Sequence, residues 1–254
     1  MGAMISVIIP TLNAEERLAA CLTALVPAVV EGLIREVTLV DGGSTDRTLK
    51  IADQAGVDVM SSEPGRGVQL KAGARRARQP WLLFLHADSV LSPGWDVEVA
   101  DFIERVDMGR LPQSAATFRF ALDDFGTAPR LLERAVSLRN SLLALPYGDQ
   151  GLLISRRLFD EIGGFKPMLL MEDVDIVRRL GRRRLHRLRA TALTSANRYR
   201  QEGYARRTVR NAACLSLYTL GMPAERLIRL YDPVAGAAAA GNESRRPGGK
   251  VESA

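Results

Sequence analysis

Short apolar runs with little polar alternation punctuate the first third of the chain. ISVIIP (residues 5–10), EVTLVD (36–41), VDVMS (57–61) and WLLFLHAD (81–88) are apolar or β-branched over most of their length. Such runs suit strands of a parallel sheet covered on both faces. The intervening segments carry helical spacing. AEERLAACLTALVPAV follows Asn13 as a candidate cap, STDRTLKIADQAG runs from Ser44 as its cap to Gly56, and RGVQLKAGARRARQ ends before Pro80. Strand and helix alternating with short connections predict an open, doubly wound α/β domain with right-handed crossovers.

Beyond Pro93 the pattern changes. It predicts a helix over 95–105, a strand over 115–120, a helix over 129–143, a strand at GLLIS (151–155) and a short helix ending at Gly163 and Gly164. MEDVDIVRRLG (171–181) is a helix with apolar positions at 174, 177 and 180, stopped by Gly181. Two helices joined at GMP fill 204–231, and residues from 233 on read as a disordered tail without aromatic residues. The expected organisation is one domain over 4–200, in halves 4–90 and 91–200, then C-terminal helices over 201–232 and the tail over 233–254.

Composition adds limits. At 254 residues with 46% hydrophobic and 25% charged side chains, the chain can bury a substantial core. Net charge is +6, with Lys and Arg concentrated after residue 150. That points to a phosphate-rich ligand, an anionic membrane surface or nucleic acid. The arginine runs lack the aromatic interleaving of a nucleic-acid stacking platform, so nucleic acid is not expected as a partner. The two cysteines, Cys21 and Cys214, lie far apart in apolar helical stretches and indicate neither a metal site nor a disulfide framework. No run has the length of a membrane span and no signal-peptide pattern is present, so a cytoplasmic location is expected. RRTVRNAACLSLYTLGMPAERLIRLY (206–231) flanks apolar positions with basic ones. It is read either as packing on the domain or as a peripheral contact with the inner face of an anionic membrane, near a lipid-linked acceptor.

Three motifs carry chemistry. In open α/β sheets ligands lie beyond the carboxyl ends of the strands, where this chain has Pro10-Thr11-Leu12-Asn13, Asp41-Gly42-Gly43-Ser44 and His86-Ala87-Asp88. DGGSTD (41–46) is either a capped turn or a nucleoside site in which Asp41 accepts from a base or ribose. Asp88 is either a turn former or a ligand for Mg²⁺ or Mn²⁺, and His86 alone reads as a polar residue at the strand end. In MEDVD, Asp175 and Arg179 are spaced for an i,i+4 pair. That leaves Glu172 and Asp173 as helix N-terminal acids or as general bases.

SVIIPTLNAEERL, VTLVDGGSTDRT, GRGVQLKAGARRA, LLFLHADSVL, GDQGLLISRRLFDEIGGF and MEDVDIVRRL, in this order and spacing, resemble the inverting family-2 glycosyltransferases of the GT-A fold. The resemblance covers about residues 4–200. It implies one GT-A domain, with a Rossmann-like, mostly parallel central sheet, helices on both faces and C-terminal helices beyond. The half over 4–90 would bind a nucleotide sugar, a UDP-sugar being favoured, and the half over 91–200 would hold the acceptor and the catalytic groups. Pro10, Thr11, Asn13, Glu15, Asp41, Gly43 and Ser44 would surround the donor nucleoside. Arg66 and Gln69 would lie near its base or diphosphate, with Ala87 and Asp88 at the metal motif. Asp88 would hold a divalent cation, Mn²⁺ or Mg²⁺. Asp173 of the Glu172-Asp173 pair would deprotonate the acceptor hydroxyl, Asp149 and Gln150 would lie on the acceptor side, and Arg198 would help hold the diphosphate.

Two departures from the family pattern stand out: His86 replaces the first metal-motif carboxylate, and the QxxRW motif of processive members is missing. The latter implies transfer of a single sugar to an acceptor hydroxyl or phosphate that the sequence does not name. The former keeps open an alternative, a non-catalytic nucleotide-sugar binding protein of the same fold.

Overall fold

The computed structural model describes residues 4–143, 148–168 and 170–231. The expected tail over 233–254 lies outside the described residues. In chain order the elements are β1 (Ile5–Thr11), α1 (Leu18–Thr23), α2 (Val26–Val30), β2 (Ile34–Asp41), α3 (Thr48–Gln54), β3 (Asp58–Ser61), α4 (Arg66–Arg76), β4 (Trp81–Phe84), β5 (Ser89–Leu91) and α5 (Trp95–Asp107). They continue with β6 (Ala115–Leu122), α6 (Thr127–Leu143), β7 (Leu152–Ser155), α7 (Arg156–Glu161), α8 (Glu172–Leu180), β8 (Leu185–Thr194), α9 (Asn197–Glu202), α10 (Tyr204–Thr219) and α11 (Ala224–Tyr231).

The strands form one sheet in the order β3-β2-β1-β4-β7-β6-β8-β5. β3, β2, β1 and β4 are mutually parallel. β7 then runs antiparallel to both β4 and β6, β8 is parallel to β6, and β5 closes the far edge antiparallel to β8. Side-chain alternation assigns β1 to two cores. Ile5, Val7 and Ile9 join Leu18, Leu22, Trp95, Phe102 and Phe118 on one face, while Ile8, with Val40, joins Leu70, Ala74, Leu158 and Ile176 on the other. Helices therefore cover both faces. α4 lies so close to the sheet that a Cβ at Gly73 would stand 2.4 Å from Ile8 Cγ2.

Several expectations are corrected. The first helical stretch begins at Leu18, not after Asn13, and α3 begins at Thr48, so neither Asn13 nor Ser44 caps a helix. Their side chains bond across the two loops instead, as described below. β4 ends at Phe84, before the apolar run does. Leu85 N–H still donates to Ile8 O at 3.1 Å, and the chain then turns so that Ser89 N–H donates to His86 O at 3.1 Å. β3 is an exposed edge strand rather than a doubly covered one. β5, β8 and α9 were not expected.

Close contacts divide the chain into a unit ending at Tyr204 and a second beginning at Ala205. In the second, α10 carries the buried Cys214. No helix among the described residues is long and apolar enough to cross a membrane.

Candidate active site

The carboxyl ends of β1 and β2 are joined by a network in which Asp41 is the hub. It is 3% exposed. Its Oδ2 accepts from the N–H groups of Gly43 (2.9 Å) and Ser44 (2.8 Å), and its Oδ1 from the hydroxyls of Ser44 (2.5 Å) and Thr11 (3.1 Å). Burial opposes ionisation, but these bonds outweigh it and hold the carboxyl below the usual carboxylate range. Gly43 has φ +100°, so the turn that aims these amides at Asp41 needs glycine there.

The two loops are stapled further. Ser44 Oγ accepts from Asn13 N–H at 2.9 Å, Asn13 Oδ1 from Thr45 N–H at 2.9 Å, and Glu15 Oε2 from Arg47 N–H at 3.0 Å. Below them Gln69 is buried, and its Nε2 donates to the carbonyls of Thr11 (2.8 Å) and Val40 (2.7 Å). Thus Thr11, Asn13, Glu15, Asp41, Gly43, Ser44 and Gln69 come together. Asp41 and Gln69 shape the rim through contacts within the chain, and Pro10 is buried in β1.

The second wall is the turn after β4. His86 Nδ1 lies 3.9 Å from Asp88 Oδ1, and Ala87 between them is buried. Burial, with the positive charges of Arg66 and Arg198, drives the His86 pKa well below that of free histidine, so the ring is neutral near pH 7. The enclosing cleft raises the Asp88 pKa, against the pull of Arg198, Arg66 and Arg17. Behind the turn, Cys21 Sγ donates to His86 O at 3.5 Å, and burial together with the Asp88 charge pushes its thiol up to about 12. Arg198 stands at the start of α9, with its charge felt at both His86 and Asp88. Arg17, which sequence reasoning missed, pairs with Asp123 and also acts on Asp88. Nothing local in AEERL distinguishes it from a solvated helix residue.

The third wall is the N-terminus of α8. Met171 just before it adopts the left-handed conformation at φ +66°, which costs roughly 1–3 kcal/mol for a residue with a side chain. Glu172 is 1% exposed and ion-pairs through Oε1 with Arg66 Nε, while its Oε2 is buried with no hydrogen-bond partner. Burial raises the Glu172 pKa, Arg66 lowers it and Asp173 raises it, for a net rise. Asp173 Oδ2 lies 3.7 Å from Arg66 Nη2, and its Oδ1 accepts from Val174 N–H at 2.8 Å. Asp175 is structural, pairing with Arg179 at 2.5 Å and Lys166 at 2.7 Å. The approach of α4 to this wall depends on Gly67, whose Cβ would meet the carbonyl oxygens of Lys166 and Met168 at 2.6 Å each.

These walls meet. A pocket is lined by His86 from the β4 turn, Glu172 and Asp173 from α8, and Thr117 from β6. Asp149 and Gln150 form a short 3₁₀ turn beside it. The Asp149 carbonyl accepts from Thr194 Oγ1 at 3.3 Å, Gln150 is buried, and Gly151 lines the pocket. Among the described residues no three His, Cys, Asp or Glu side chains cluster to hold a metal ion. His86 and Asp88 could supply two ligands, a fit for a cation that takes its other ligands from phosphate oxygens.

A parallel Rossmann-like half, continued by a mixed half that brings an acidic helix start to the strand ends, defines the GT-A class of sugar-transferring folds. The family model "Glycosyl transferase family 2" matches residues 6–163, more than half of the chain, and the protein belongs to that family. A PGL/p-HBAD biosynthesis glycosyltransferase of Mycobacterium bovis (strain BCG / Pasteur 1173P2) is 40% identical over 105 residues, 35% of this chain and 36% of that protein. A glucosyl-3-phosphoglycerate synthase of Mycolicibacterium paratuberculosis is 32% identical over 98 residues, 35% of this chain and 30% of that one. The matched segment thus spans about a third of these relatives.

In fold, the chain is similar to glucosyl-3-phosphoglycerate synthase from Mycobacterium tuberculosis in complex with phosphoglyceric acid. The TM-score is 0.59 at 22% identity, over 87% of this chain and 81% of that one. The same enzyme in complex with Mn²⁺ and UDP-glucose gives a TM-score of 0.58 at 20% identity, over 87% and 80%.

Proposed function

We propose that the protein is an inverting glycosyltransferase that moves one sugar from a UDP-sugar to an acceptor hydroxyl in the cytoplasm. The observation that carries this reading is the convergence of His86, Glu172 and Asp173 on one pocket, with Asp88 two residues from His86. The Mn²⁺ and UDP-glucose of the structural neighbour support the donor class.

In the proposed step the acceptor oxygen attacks the anomeric carbon as the bond from that carbon to the diphosphate breaks. UDP leaves with the bonding electrons, the hydroxyl proton passes to the Asp173 carboxylate, and configuration inverts. Arg66 is held by Glu172 within reach of both Asp173 and the β4 turn, where its charge favours the developing diphosphate anion. Glu172 is thus a positioning residue for Arg66. Asp88 and the neutral His86 would hold a divalent cation, which supplies Lewis-acid stabilisation of the leaving group. Arg198 adds positive charge on the same side, and the loops stapled by Asp41 frame the nucleoside.

The test is UDP release from a panel of nucleotide sugars with Mn²⁺, Mg²⁺ or EDTA. Release is expected from UDP-sugars with metal and not with EDTA. Asp173→Asn is expected to lower the rate by about 10²–10⁴-fold while UDP binding is retained. UDP-sugar binding without turnover for any acceptor would instead favour the binding-protein alternative, and no binding at all would overturn both readings.

A further inference from the structure

A second cavity of about 200 Å³ lies between α6, β6 and β8, and three of its lining residues are arginines: Arg119, Arg134 and Arg187. Its volume is several times the roughly 30 Å³ of a water molecule. The carboxylate in its lining, Glu133, is already engaged: Oε1 and Oε2 accept from Arg130 Nη1 at 2.8 and 2.7 Å, and Oε1 also from Leu122 N–H at 2.9 Å. Arg187 is oriented by Ser137, with Nη1 3.1 Å from the hydroxyl and 3.4 Å from the carbonyl. Phe120 and Val136 complete the lining. The cavity is thus lined by three arginine side chains beside an apolar patch, a combination that suits a phosphate monoester carrying an organic substituent.

Its position connects it to the site above. Thr117 lines the pocket of Glu172 and Asp173, and Arg119 is two residues further along the same strand, on the order of 7 Å at the usual strand rise. Arg187 is the register partner of Thr117 on β8. We infer that Arg119, Arg134 and Arg187 form a binding site for a phosphate monoester on the acceptor, so that the acceptor is a phosphorylated alcohol whose hydroxyl reaches Asp173. The acceptor assignment rests on the transferase reading; the anion site itself does not.

The experiment titrates glycerol 1-phosphate into the full chain by calorimetry, with saturating UDP and Mn²⁺ so that the donor side is occupied, and repeats the titration without them. The double variant Arg119→Gln/Arg134→Gln and the single variant Arg134→Glu, on the exposed face of α6, are compared after circular dichroism confirms their fold. Expected is binding by the wild type that weakens at least tenfold in both variants while the UDP Kd stays unchanged. Sedimentation with phosphatidylcholine vesicles, with and without phosphatidic acid, separates the sources. Phosphatidic-acid-dependent binding lost in the variants assigns a lipid-borne phosphate, and its absence beside glycerol 1-phosphate binding assigns a soluble ester. No binding of either phosphate by the wild type, or equal binding by the variants, overturns the site. If UDP fails to bind but glycerol 1-phosphate binds through these arginines, the anion site stands and the donor reading falls.

Discussion

At the scale of single residues, the carboxylates of the cleft divide by environment. Asp41 is saturated with donors and held in its charged form, whereas Glu172, with one buried oxygen unpartnered, is pushed toward neutrality against the pull of Arg66. Because the folded pKa of Asp41 lies below its unfolded value near 3.8, its stabilisation is complete above that value and is lost as pH falls through the folded pKa. Asp41→Asn removes charge-assisted acceptance from two amides and two hydroxyls. It is expected to cost about 1–3 kcal/mol near pH 7, and urea titrations should show the deficit shrinking toward pH 3. A pH-independent deficit would mean the charge contributes nothing. The side chains of Asn13 and Ser44 were legible in sequence as polar groups at strand ends, but not their partners. Each bonds a residue 31 or 32 positions away, and a local cap pattern carries no information about such a contact.

Among elements, α4 is the piece that connects the loops after β1 and β2 to the start of α8. It sends Gln69 beneath the ends of β1 and β2 and Arg66 to Glu172, and it does so by touching backbone at Gly67. Gly67→Ala places a methyl 2.6 Å from two carbonyl oxygens and is expected to destabilise the fold by about 1–3 kcal/mol. UDP release should fall by more than UDP binding, since the loop displaced is the one leading to α8. Stability and kinetics equal to wild type would show that this approach is not tight.

The centre of the parallel half was readable because β1 and β4 are buried on both faces and announce themselves as unbroken apolar runs, whereas the exposed edge strand β3 carries the same kind of run without that burial. β8 was hidden by its composition. Its buried positions Leu188, Ala192 and Thr194 alternate with positions that include the exposed Arg187 and Arg189, so the stretch reads as part of a basic run. β5 has only three residues and α9 lacks a side-chain cap, leaving little local signal for either.

For the molecule as a whole, the main core runs across from the parallel half of the sheet to the mixed half. Val7, Leu39 and Leu83 of the parallel half pack in one cluster with Trp95, Phe118 and Leu188 of the mixed half. Both tryptophans are buried there, Trp81 bonding Asp107 and Trp95 bonding the Ala24 carbonyl. The two halves should therefore unfold together. Trp81→Phe and Trp95→Phe variants, each reporting through its remaining tryptophan, are expected to give a single urea transition with the same m value. Transitions separated by more than the stability cost of each substitution would show the halves to be independent. The state of the thiols has a practical consequence as well. Cys21 and Cys214 are the only cysteines in the chain, both are buried, and both are poorer acids than a free thiol. Since it is the thiolate that reacts with alkylating probes, a single cysteine introduced by Phe125→Cys at an exposed position would be labelled almost alone, with the two native sulfurs left in place.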